Sequence, residues 1–324
     1  MQVVRISEYG GPEAMRLEEA PTPEPGPGQV CVRVAAAGVN FIDIYQRSGQ
    51  YRVPLPFALG GEGAGTVEAV GADVADLRPG QRVAWAAGVQ GSYATHALAP
   101  ADRLVPVPDG LELQDAAAAL LQGMTAHYLV HSTYRLGPDH SCLIHAAAGG
   151  VGQLFCQMAR IRGAGLVIGT AGTPEKAQLA KAAGANEVIV YTQQDFLTET
   201  QRITGGAGLD VVYDSVGKDT FDKSLRCLKP RGTLVLFGAS SGPVPPFDIN
   251  VLQNLGSLFV TRPTLRDYTA NRDELLWRSG DLFNWIADGK LRLRIERTYP
   301  LAEAAAAHRD LASRATAGKL LLLP

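Results

Sequence analysis

A glycine-rich turn in the middle of the chain carries the clearest chemical signal. Cys142–Ile144 is an apolar run, His145–Gly152 is rich in small residues, and Gln153–Arg160 has helical spacing. Strand, glycine turn and helix in this order are typical of a dinucleotide-binding unit, because glycine lets the backbone approach a pyrophosphate and the helix N-terminus supplies N–H donors. The match is A-x-G-x-x-G, with Ala147 at the first position. Alone, the pattern fits an ordinary strand–helix turn equally well.

The nucleotide preference depends on the end of the second strand, Gly169–Lys176. NAD-binding units place an acid there to hold the ribose 2′-hydroxyl, and this segment has none at the strand end. Thr173 is predicted to cap the next helix, with Pro174 at its first position. The helix dipole disfavours Lys176 in the first turn unless an anion is nearby. A 2′-phosphate would be such an anion, which favours NADP(H); a solvated Lys176 compensated by Glu175 is the alternative.

The surrounding elements predict two domains. Strands and helices alternate from Cys142 to Thr261 and give six strands with intervening crossovers, which predicts a doubly wound parallel Rossmann sheet. Residues 1–122 contain short β-branched or alternating runs bounded by Gly and Pro, typical of a β-rich domain. Residues 262–324 leave the alternating pattern and fit best as a return to that first domain. We therefore expect one domain from 1–122 and 262–324, and a nucleotide domain from 123–261.

Composition excludes several classes of protein. The 324 residues are 46% hydrophobic and 19% charged with a net charge of −2, which describes a globular chain with no charge-based reason to bind nucleic acid or a membrane surface. No secretory signal is visible at the N-terminus. The four cysteines lie far apart without a C-x-x-C pair. A reduced, cytoplasmic setting is the natural interpretation.

Two further segments, Gly38–Asp43 and Leu59–Gly65, resemble the medium-chain dehydrogenase/reductase superfamily. Its zinc members carry a Cys in the first segment and Gly-His-Glu in the second, where this chain has Asn40 and Gly61. A catalytic zinc needs three protein ligands and an open position, so we expect no metal. None of the six histidines falls in a metal-ligand spacing. We expect His145 at a strand end and the other five on surfaces.

The match is sharper with the zinc-free NADPH:quinone oxidoreductases, the zeta-crystallin-like branch, and covers essentially the whole chain. Five segments resemble that branch: Asn40–Gly49, His145–Gly152, Val212–Gly217, Gly256–Pro263 and Ser313–Gly318. The resemblance implies a GroES-like catalytic domain beside the Rossmann domain, with NADPH in the cleft and no flavin. It also implies a homodimer joined through the sheet edge at Leu258–Thr261.

The resemblance further implies which residues contact the cofactor. Those at the pyrophosphate are Gly149, Gly150 and Val151. Those around the adenosine 2′-phosphate are Gly172, Thr173, Lys176, Tyr191 and Arg314. Those at the ends of later strands are Val216, Phe237, Gly238, Ala239 and Ser240, where close bacterial relatives are expected to have Asn in place of Ala239. Those around the nicotinamide half are Asn40, Phe41, Ile42, Thr125, Phe259, Val260 and Thr261.

The implied reaction is direct hydride (or electron) transfer from NADPH to a quinone. A quinone that is reduced develops negative charge on oxygen and needs hydrogen-bond donors. Asn40, Tyr45 and Tyr51 are the candidate donors, although each tyrosine also fits a half-buried packing role.

Three other functions remain open. An enoyl or alkenal C=C reductase would use the same fold and cofactor, with a small-molecule acceptor of another kind. A serine hydrolase is suggested by G-x-S-x-G at Gly238–Gly242 with Asp267 and His308 downstream, but Pro243–Pro246 opposes the helix that must follow the nucleophile. A non-enzymatic structural or RNA-binding role lacks a basic patch with interleaved aromatic residues.

Overall fold

The structure, a computed structural model, describes residues 1–324 and divides into two compact units. Unit 1 comprises Met1–Met124 and Tyr268–Pro324, and unit 2 comprises Thr125–Asp267. The domain boundaries predicted from the sequence, after residues 122 and 261, fall slightly earlier in the chain. Both units have their own apolar core, with Trp85 among the largest fully buried side chains of unit 1 and Phe155 among those of unit 2.

The strands alternate with short turns in the first part of the chain and with helices in the second. In chain order they are β1 (Gln2–Ile6), β2 (Met15–Glu19), β3 (Gln29–Val39), β4 (Phe57–Ala58), β5 (Glu62–Val70), β6 (Arg82–Ala86), β7 (His96–Pro100), β8 (Val105–Pro106), β9 (Ser141–Ile144), β10 (Leu166–Ala171), β11 (Glu187–Val190), β12 (Leu209–Asp214), β13 (Leu228–Leu236), β14 (Phe259–Thr261), β15 (Ile295–Pro300) and β16 (Lys319–Leu323).

The α-helices range from about one turn to more than four turns. In chain order they are α1 (Phe41–Ser48), α2 (Leu113–Tyr128), α3 (Gly150–Ile161), α4 (Pro174–Ala183), α5 (Phe196–Ile203), α6 (Phe221–Arg226), α7 (Asn250–Asn254), α8 (Arg272–Ala287) and α9 (Ala304–Ala312). A π-helical turn, Leu129–Thr133, continues α2. None of the helices is long and apolar enough to cross a membrane.

Unit 2 is a single six-stranded sheet in the order β11-β10-β9-β12-β13-β14. Every neighbouring pair in it is parallel. The central strand β12 is buried along its whole length, as expected where helices cover both faces of a parallel sheet. The predicted doubly wound Rossmann sheet is therefore confirmed.

Unit 1 contains a three-stranded sheet, β2-β1-β4, and a seven-stranded sheet with the path β15-β16-β3-β5-β6-β8 and β7 paired with β3. Strand β16 pairs with β3 in antiparallel register from Leu320 opposite Val39 to Leu322 opposite Ala37. The C-terminal segment is thus part of the sheet that begins near the N-terminus. This β-rich architecture confirms the predicted fold class.

Two local predictions were wrong. The strand-rich interpretation of the first domain missed α1, although Asn40 and Gly49 mark its ends and Phe41, Ile44 and Tyr45 follow helical spacing. The sequence pattern also predicts a helix only over Gln114–Leu121, whereas α2 runs from Leu113 to Tyr128. Gly123 lies inside this helix, where it packs against α8. A Cβ atom at position 123 would lie 2.9 Å from the Leu282 side chain.

Glycine is required at position 152, where α3 passes close to the turn that follows β9. A Cβ atom there would lie 2.3 Å from the Ala146 carbonyl oxygen and 2.6 Å from the Ala147 Cα. Both are backbone atoms that cannot move aside as a flexible side chain would. Gly280, inside α8, has no atom within 4 Å of the corresponding position.

Replacing Gly152 with Ala should lower the free energy of unfolding by about 2 kcal/mol or more, because the added methyl group overpacks the strand–helix contact. The matched variant Gly280→Ala should leave stability unchanged or raise it by up to about 1 kcal/mol, since Ala is the better helix former. Urea unfolding of both variants tests the comparison. Equal stability of the two variants would contradict the close approach described for Gly152.

Candidate functional site

The glycine turn of unit 2 leaves the first N–H groups of α3 without a side-chain partner. Its N-cap is Gly149, which has no side-chain oxygen to accept them. The N–H of Gly149 itself donates to the Ala146 carbonyl oxygen at 2.9 Å, and Ala147 N–H donates to the Thr170 carbonyl oxygen at 2.9 Å. The turn is therefore folded back against β10 and presents the amides of Gly150 and Val151 at the start of a helix, which is an arrangement suited to an anion.

A second group of predicted residues meets where β10 and β11 end. Thr173 caps α4, as predicted, and its Oγ1 accepts from the Lys176 backbone N–H at 3.3 Å. The Tyr191 hydroxyl lies over Gly172: a Cβ atom at position 172 would be 2.9 Å from the hydroxyl oxygen. A hydrogen bond with the Thr173 hydroxyl lowers the pKa of Glu175. The group thus combines one cation, one ionised acid in the helix and two hydroxyls.

The predicted residues after β12 and β13 lie in two loops that are joined by backbone hydrogen bonds. Ser240 N–H donates to the Ser215 carbonyl oxygen at 3.1 Å, and Ser241 N–H donates to the Val216 carbonyl oxygen at 2.9 Å. A Cβ atom on Gly238 would lie 2.4 Å from the Ser215 carbonyl oxygen, so the approach requires glycine. Val216 and Phe237–Ser240 therefore lie together at the carboxyl end of the sheet, where open α/β sheets bind ligands.

The remaining predicted cofactor residues are dispersed. Ile42 lies exposed in α1, and Arg314 lies exposed between α9 and β16, both in unit 1. Thr125 is buried in α2 at the first position of unit 2. Phe259–Thr261 form β14, at one edge of the unit 2 sheet.

His145 lies directly after β9, as predicted, and belongs to a buried network around Asp214. Its Nε2 lies 3.0 Å from Ser224 Oγ, and its Nδ1 lies 3.1 Å from Thr170 Oγ1. Since the Ser224 hydroxyl donates to Asp214 Oδ2 at 2.9 Å, it accepts from His145, whose proton is then on Nε2. Burial lowers the pKa of His145 despite the opposing effect of Asp214. The neutral imidazole of His145 therefore connects Thr170 in β10 with Ser224 in α6.

Asn40, in unit 1, is enclosed by an ion pair. Its side-chain Nδ2 donates to Glu62 Oε2 at 2.8 Å and to the Gly38 carbonyl oxygen at 3.3 Å. Its Oδ1 accepts from Lys319 Nζ at 2.8 Å, and Lys319 also pairs with Glu62. Both amide hydrogens of Asn40 are thus bonded within unit 1. This opposes its predicted role as a hydrogen-bond donor to the substrate.

The two candidate tyrosines lie side by side. Tyr45 is buried in α1, and its ring centroid is 5.2 Å from that of Tyr51 in an edge-on arrangement. The Tyr51 N–H donates to the Tyr45 carbonyl oxygen at 2.9 Å. Tyr51 is 39% exposed. The structure therefore brings Asn40, Phe41, Tyr45 and Tyr51 together on one helix and the loop that follows it.

A buried chain of hydrogen bonds anchors α1. Arg47 Nη1 donates to His308 Nδ1 at 3.1 Å, because guanidinium can only donate, which leaves the His308 proton on Nε2. That nitrogen lies 3.1 Å from the Tyr93 hydroxyl, and Tyr93 donates to Asp43 Oδ2 at 2.9 Å. Asp43 Oδ2 also accepts from the Asn40 backbone N–H at 2.8 Å. The helix is fixed near both ends.

This chain shifts two pKa values in opposite directions. Burial raises the pKa of Asp43 to about 7, with Glu62 adding to the effect and its hydrogen bonds and Lys319 opposing it. Burial and the neighbouring Arg47 lower the pKa of His308 to about 3. Asp43 Oδ1 has no hydrogen-bond partner, so it is the oxygen that carries the proton when the carboxyl is neutral.

The prediction that the histidines other than His145 lie on surfaces was wrong for two of them. His127 and His308 are fully buried. Because both ring nitrogens of His308 are engaged by Arg47 and Tyr93, it is not available as the base of a Ser240 hydrolase. The next helix after the G-x-S-x-G segment is α7, which starts only at Asn250. A nucleophile elbow is therefore not formed.

Sequence reasoning missed Glu62 and Lys319 as partners of Asn40, and Arg47, Tyr93 and His308 as partners of Asp43. A signal was present for Lys319, a cation at the start of an otherwise apolar strand, and for Glu62, an acid within a glycine-rich one. Neither signal identifies a partner, since Asn40 and Lys319 are 279 positions apart in the chain.

The opposed pKa shifts of Asp43 and His308 should make opposite contributions to the pH dependence of stability, and the two contributions should cancel. Asp43 has its pKa raised from 3.8 to about 7 on folding, so its contribution to stability is present below the unfolded value and is lost as pH rises through the folded one. His308 has its pKa lowered from 6.5 to about 3 on folding, so its contribution lowers the free energy of unfolding as pH falls through that range. Each slope is about 1.4 kcal/mol per pH unit between pH ~4 and ~6.5.

A variant that removes one of the two groups should reveal how the other group makes stability depend on pH. Relative to the wild type, Asp43→Asn should gain stability as pH rises from about 4.5 to about 6.5, and His308→Gln should lose it, each by roughly 1.4 kcal/mol per pH unit. Urea unfolding across that range measures both. The double variant is the control, and its stability should change with pH as that of the wild type does. If the single variants show the same pH dependence as the wild type, neither group titrates as described.

Comparison with known proteins gives two family matches. Residues 26–109 match the family described as alcohol dehydrogenase GroES-like domain, and residues 150–274 match the family described as zinc-binding dehydrogenase. The residues do not suit a zinc ion, however. The family resemblance places Asn40 and Gly61 at the ligand positions, and neither residue offers a thiolate or an imidazole. The Asn40 oxygen accepts from a lysine ammonium, and no group of three His, Cys, Asp or Glu side chains could hold a metal.

Several relatives match over nearly the full length. The chain is 46% identical to a quinone oxidoreductase of Pseudomonas aeruginosa, with 99% of both chains covered. It is 45% identical to a 2-haloacrylate reductase of a Burkholderia species, with 98% of both covered. Among solved structures, Escherichia coli quinone oxidoreductase complexed with NADPH superposes with a TM-score of 0.98 at 43% identity, covering all of both chains. This chain belongs to the quinone oxidoreductase family of medium-chain dehydrogenases/reductases.

Proposed function

We propose that this protein is an NADPH-dependent quinone reductase that works without metal or flavin. The observation that carries the proposal is the group at the ends of β10 and β11, where Gly172, Thr173, Lys176 and Tyr191 meet and no strand-end acid is present. An acid there would favour the ribose hydroxyl of NAD, whereas a cation and hydroxyls favour a 2′-phosphate. NADPH is also the molecule bound by the Escherichia coli relative.

The remaining phosphates would lie against the glycine turn. The amides of Gly150 and Val151 begin α3 without a capping side chain, so the helix dipole and these N–H groups can hold a pyrophosphate. Gly149, the N-cap, is proposed to lie against the same group, with its own N–H bonded to the Ala146 carbonyl oxygen. Val216 and Phe237–Ser240 line the strand ends beside this turn in the same unit. Asn40, Phe41, Ile42, Thr125 and β14 are proposed for the nicotinamide half, and Arg314 for the 2′-phosphate.

NADPH, when bound, supplies the hydride. The protein has to orient the acceptor and stabilise the negative charge that develops on its oxygen. We assign that role to the phenol hydroxyls of Tyr45 and Tyr51, whose ring centroids lie 5.2 Å apart. Because α1 is fixed through Asp43 and Arg47, Tyr45 is held before substrate arrives, which reduces the reorganisation that the reaction requires. Tyr51 follows α1 and is joined to it by its N–H, which donates to the Tyr45 carbonyl oxygen.

A second acceptor class is supported by one relative. The 2-haloacrylate reductase is 45% identical over 98% of this chain, and the substrate in its name contains an activated C=C bond. A conjugated carbonyl compound and a quinone both accept hydride and both place negative charge on oxygen, so one set of phenol donors serves either. The quinone is the first choice because the relative of highest identity reported above carries that name.

We further propose a reduced, cytoplasmic location and a homodimer. All four cysteines are free and buried, which suits a compartment where disulfides do not form. Strand β14 ends the unit 2 sheet, and its Phe259 is 62% exposed, so a second copy could continue the sheet at that edge.

Purified protein should oxidise NADPH with simple benzoquinones or naphthoquinones when no flavin or zinc is added. A metal chelator should leave the rate unchanged, since no zinc ligands are assembled. Parallel rates on a 2-alkenal and on 2-haloacrylate rank the two acceptor classes. Protein that binds NADPH and yet transfers nothing to any quinone would contradict the proposal, and faster turnover of the alkenes would favour the second class.

Lys176→Ala should raise the KM for NADPH about tenfold or more, because a charge-assisted contact to phosphate contributes roughly 1.5–3 kcal/mol. The KM for NADH should change little, as that cofactor lacks the 2′-phosphate. Lys181→Ala is the matched control: Lys181 lies in the last turn of α4 and pairs with Glu187 on the surface at 3.9 Å. An equal effect of Lys176→Ala on both cofactors would remove the phosphate assignment.

A further inference from the structure

We propose that Thr170, His145 and Asp214 are positioning residues for the cofactor. A buried chain of hydrogen bonds through them holds the glycine turn after β9 and the loop after β12 in one fixed arrangement. The inference rests on the proposed function, in which the turn meets the pyrophosphate and the loop carries Val216. The three side chains act through the backbone that they hold, without a contact of their own to NADPH.

The carboxylate of Asp214 fixes the loop after β12. Its Oδ1 accepts from the backbone N–H groups of Val216 at 2.8 Å and Gly217 at 3.0 Å. Its Oδ2 accepts from the hydroxyls of Thr220 at 2.7 Å and Ser224 at 2.9 Å. Four donors match the four acceptor sites of a carboxylate. A fully buried charge therefore ties the loop that carries Val216 to the end of β12.

The chain has one direction, because a carboxylate only accepts hydrogen bonds and a backbone N–H only donates them. Ser224 gives its hydrogen to Asp214 and therefore accepts from His145 Nε2 at 3.0 Å. The other ring nitrogen, Nδ1, has no hydrogen and accepts from the Thr170 hydroxyl at 3.1 Å. Thr170 Oγ1 in turn accepts from the Ala146 backbone N–H at 3.3 Å. Each group from Ala146 to Asp214 thus donates to the next one.

Ala146, at the start of the chain, sets the course of the glycine turn. Its φ angle of 54° lies in the left-handed region, which side chains other than glycine rarely adopt. Thr170 holds this conformation twice, since its Oγ1 accepts from the Ala146 N–H and its carbonyl oxygen accepts from the Ala147 N–H at 2.9 Å. The Ala146 carbonyl oxygen accepts from the N–H of Gly149, the N-cap of α3. The position of the first amides of α3 therefore depends on Thr170.

Burial prevents water from replacing a broken link of the chain. Ser224 and Asp214 are 0% exposed, Thr170 is 1% exposed and His145 is 3% exposed. Burial also lowers the pKa of His145, so the ring stays neutral and Nδ1 keeps the lone pair that the Thr170 hydroxyl needs. The Phe196 ring packs edge-on against His145 with 4.8 Å between centroids, which restricts rotation of the imidazole. The hydrogen-bond pattern is therefore set before the cofactor binds.

The tautomer of His145 tests the direction of the chain. In protein with 15N-labelled histidine, the ring nitrogens of His145 should show the chemical shifts of a neutral imidazole that carries its proton on Nε2, at a pH of about 7. The variant His145→Gln assigns the signals by their disappearance. A proton on Nδ1, or a doubly protonated ring, would overturn the inference.

Binding of NADPH to Thr170→Val tests the positioning role, because valine keeps the shape of the side chain and removes its hydroxyl. The Kd for NADPH should rise about tenfold, since the turn loses a buried hydrogen bond. The Kd for adenosine 2′-monophosphate, which has no pyrophosphate, should stay within about twofold of the wild-type value. Thr170→Ser restores the hydroxyl and should bring the Kd for NADPH back to within about twofold of wild type. Titration by NADPH fluorescence, with displacement by the fragment, measures both constants without quinone.

Thr204→Val is the matched control. The Thr204 hydroxyl lies in the same unit and also accepts from a backbone N–H, that of Gly208 at 3.3 Å, but this turn precedes β12. The control variant should leave both Kd values unchanged. Ser224→Ala cuts the chain beside Asp214 and should raise the Kd for NADPH as Thr170→Val does. The double variant should add less than about twofold to either single effect, because the links act as one unit.

Several outcomes would overturn the inference. One is an unchanged Kd for NADPH in Thr170→Val, and another is an equal rise in the Kd for adenosine 2′-monophosphate. Effects of Thr170→Val and Ser224→Ala that multiply in the double variant would show that the two links act separately. If Thr170→Val does not fold, the His145 tautomer and the Kd of Ser224→Ala decide. Failure of the proposed function gives a different result, namely wild-type protein that does not bind NADPH or that binds it without transfer to quinone.

Discussion

The buried carboxylate of Glu62 joins four elements of unit 1. It joins strand β5 to β16 through Lys319, to the start of α1 through Asn40, and to α2 through the Leu121 amide. Four elements far apart in the chain thus meet at one buried anion. Such an anion is costly without partners, and here each oxygen has at least one donor. The backbone adapts to it at Gly38, where no side chain would fit.

A second buried network in unit 1 holds α1. Its hydrogen bonds start at Arg47 and run through His308 and Tyr93 to Asp43. The helix that carries Tyr45 is therefore fixed by buried polar groups near both of its ends. The chemistry left to the protein is to orient two small molecules and to stabilise charge on oxygen, which phenol hydroxyls can do.

The sequence predicted the nucleotide unit better than the site of unit 1. The Rossmann sheet and the Thr173 cap follow from local rules on strand–helix alternation and capping, and both were confirmed. The assignment of Lys176, Tyr191 and the other cofactor residues stays a prediction. Partners such as Lys319 and His308 could not be found, because they join Asn40 and Asp43 only through tertiary pairing of distant segments, and sequence spacing carries no information about it.

The central claim, that reduction proceeds directly from NADPH with only protein groups in support, is tested most directly by a single-turnover experiment. Protein stripped of metal by chelation and free of flavin absorbance is loaded with NADPH deuterated at C4 of the nicotinamide and mixed with a benzoquinone in a stopped-flow instrument without oxygen. The account predicts stoichiometric oxidation of the bound cofactor, slowed by a primary isotope effect in one C4 diastereomer. Oxidation only after zinc or flavin is added back would contradict it.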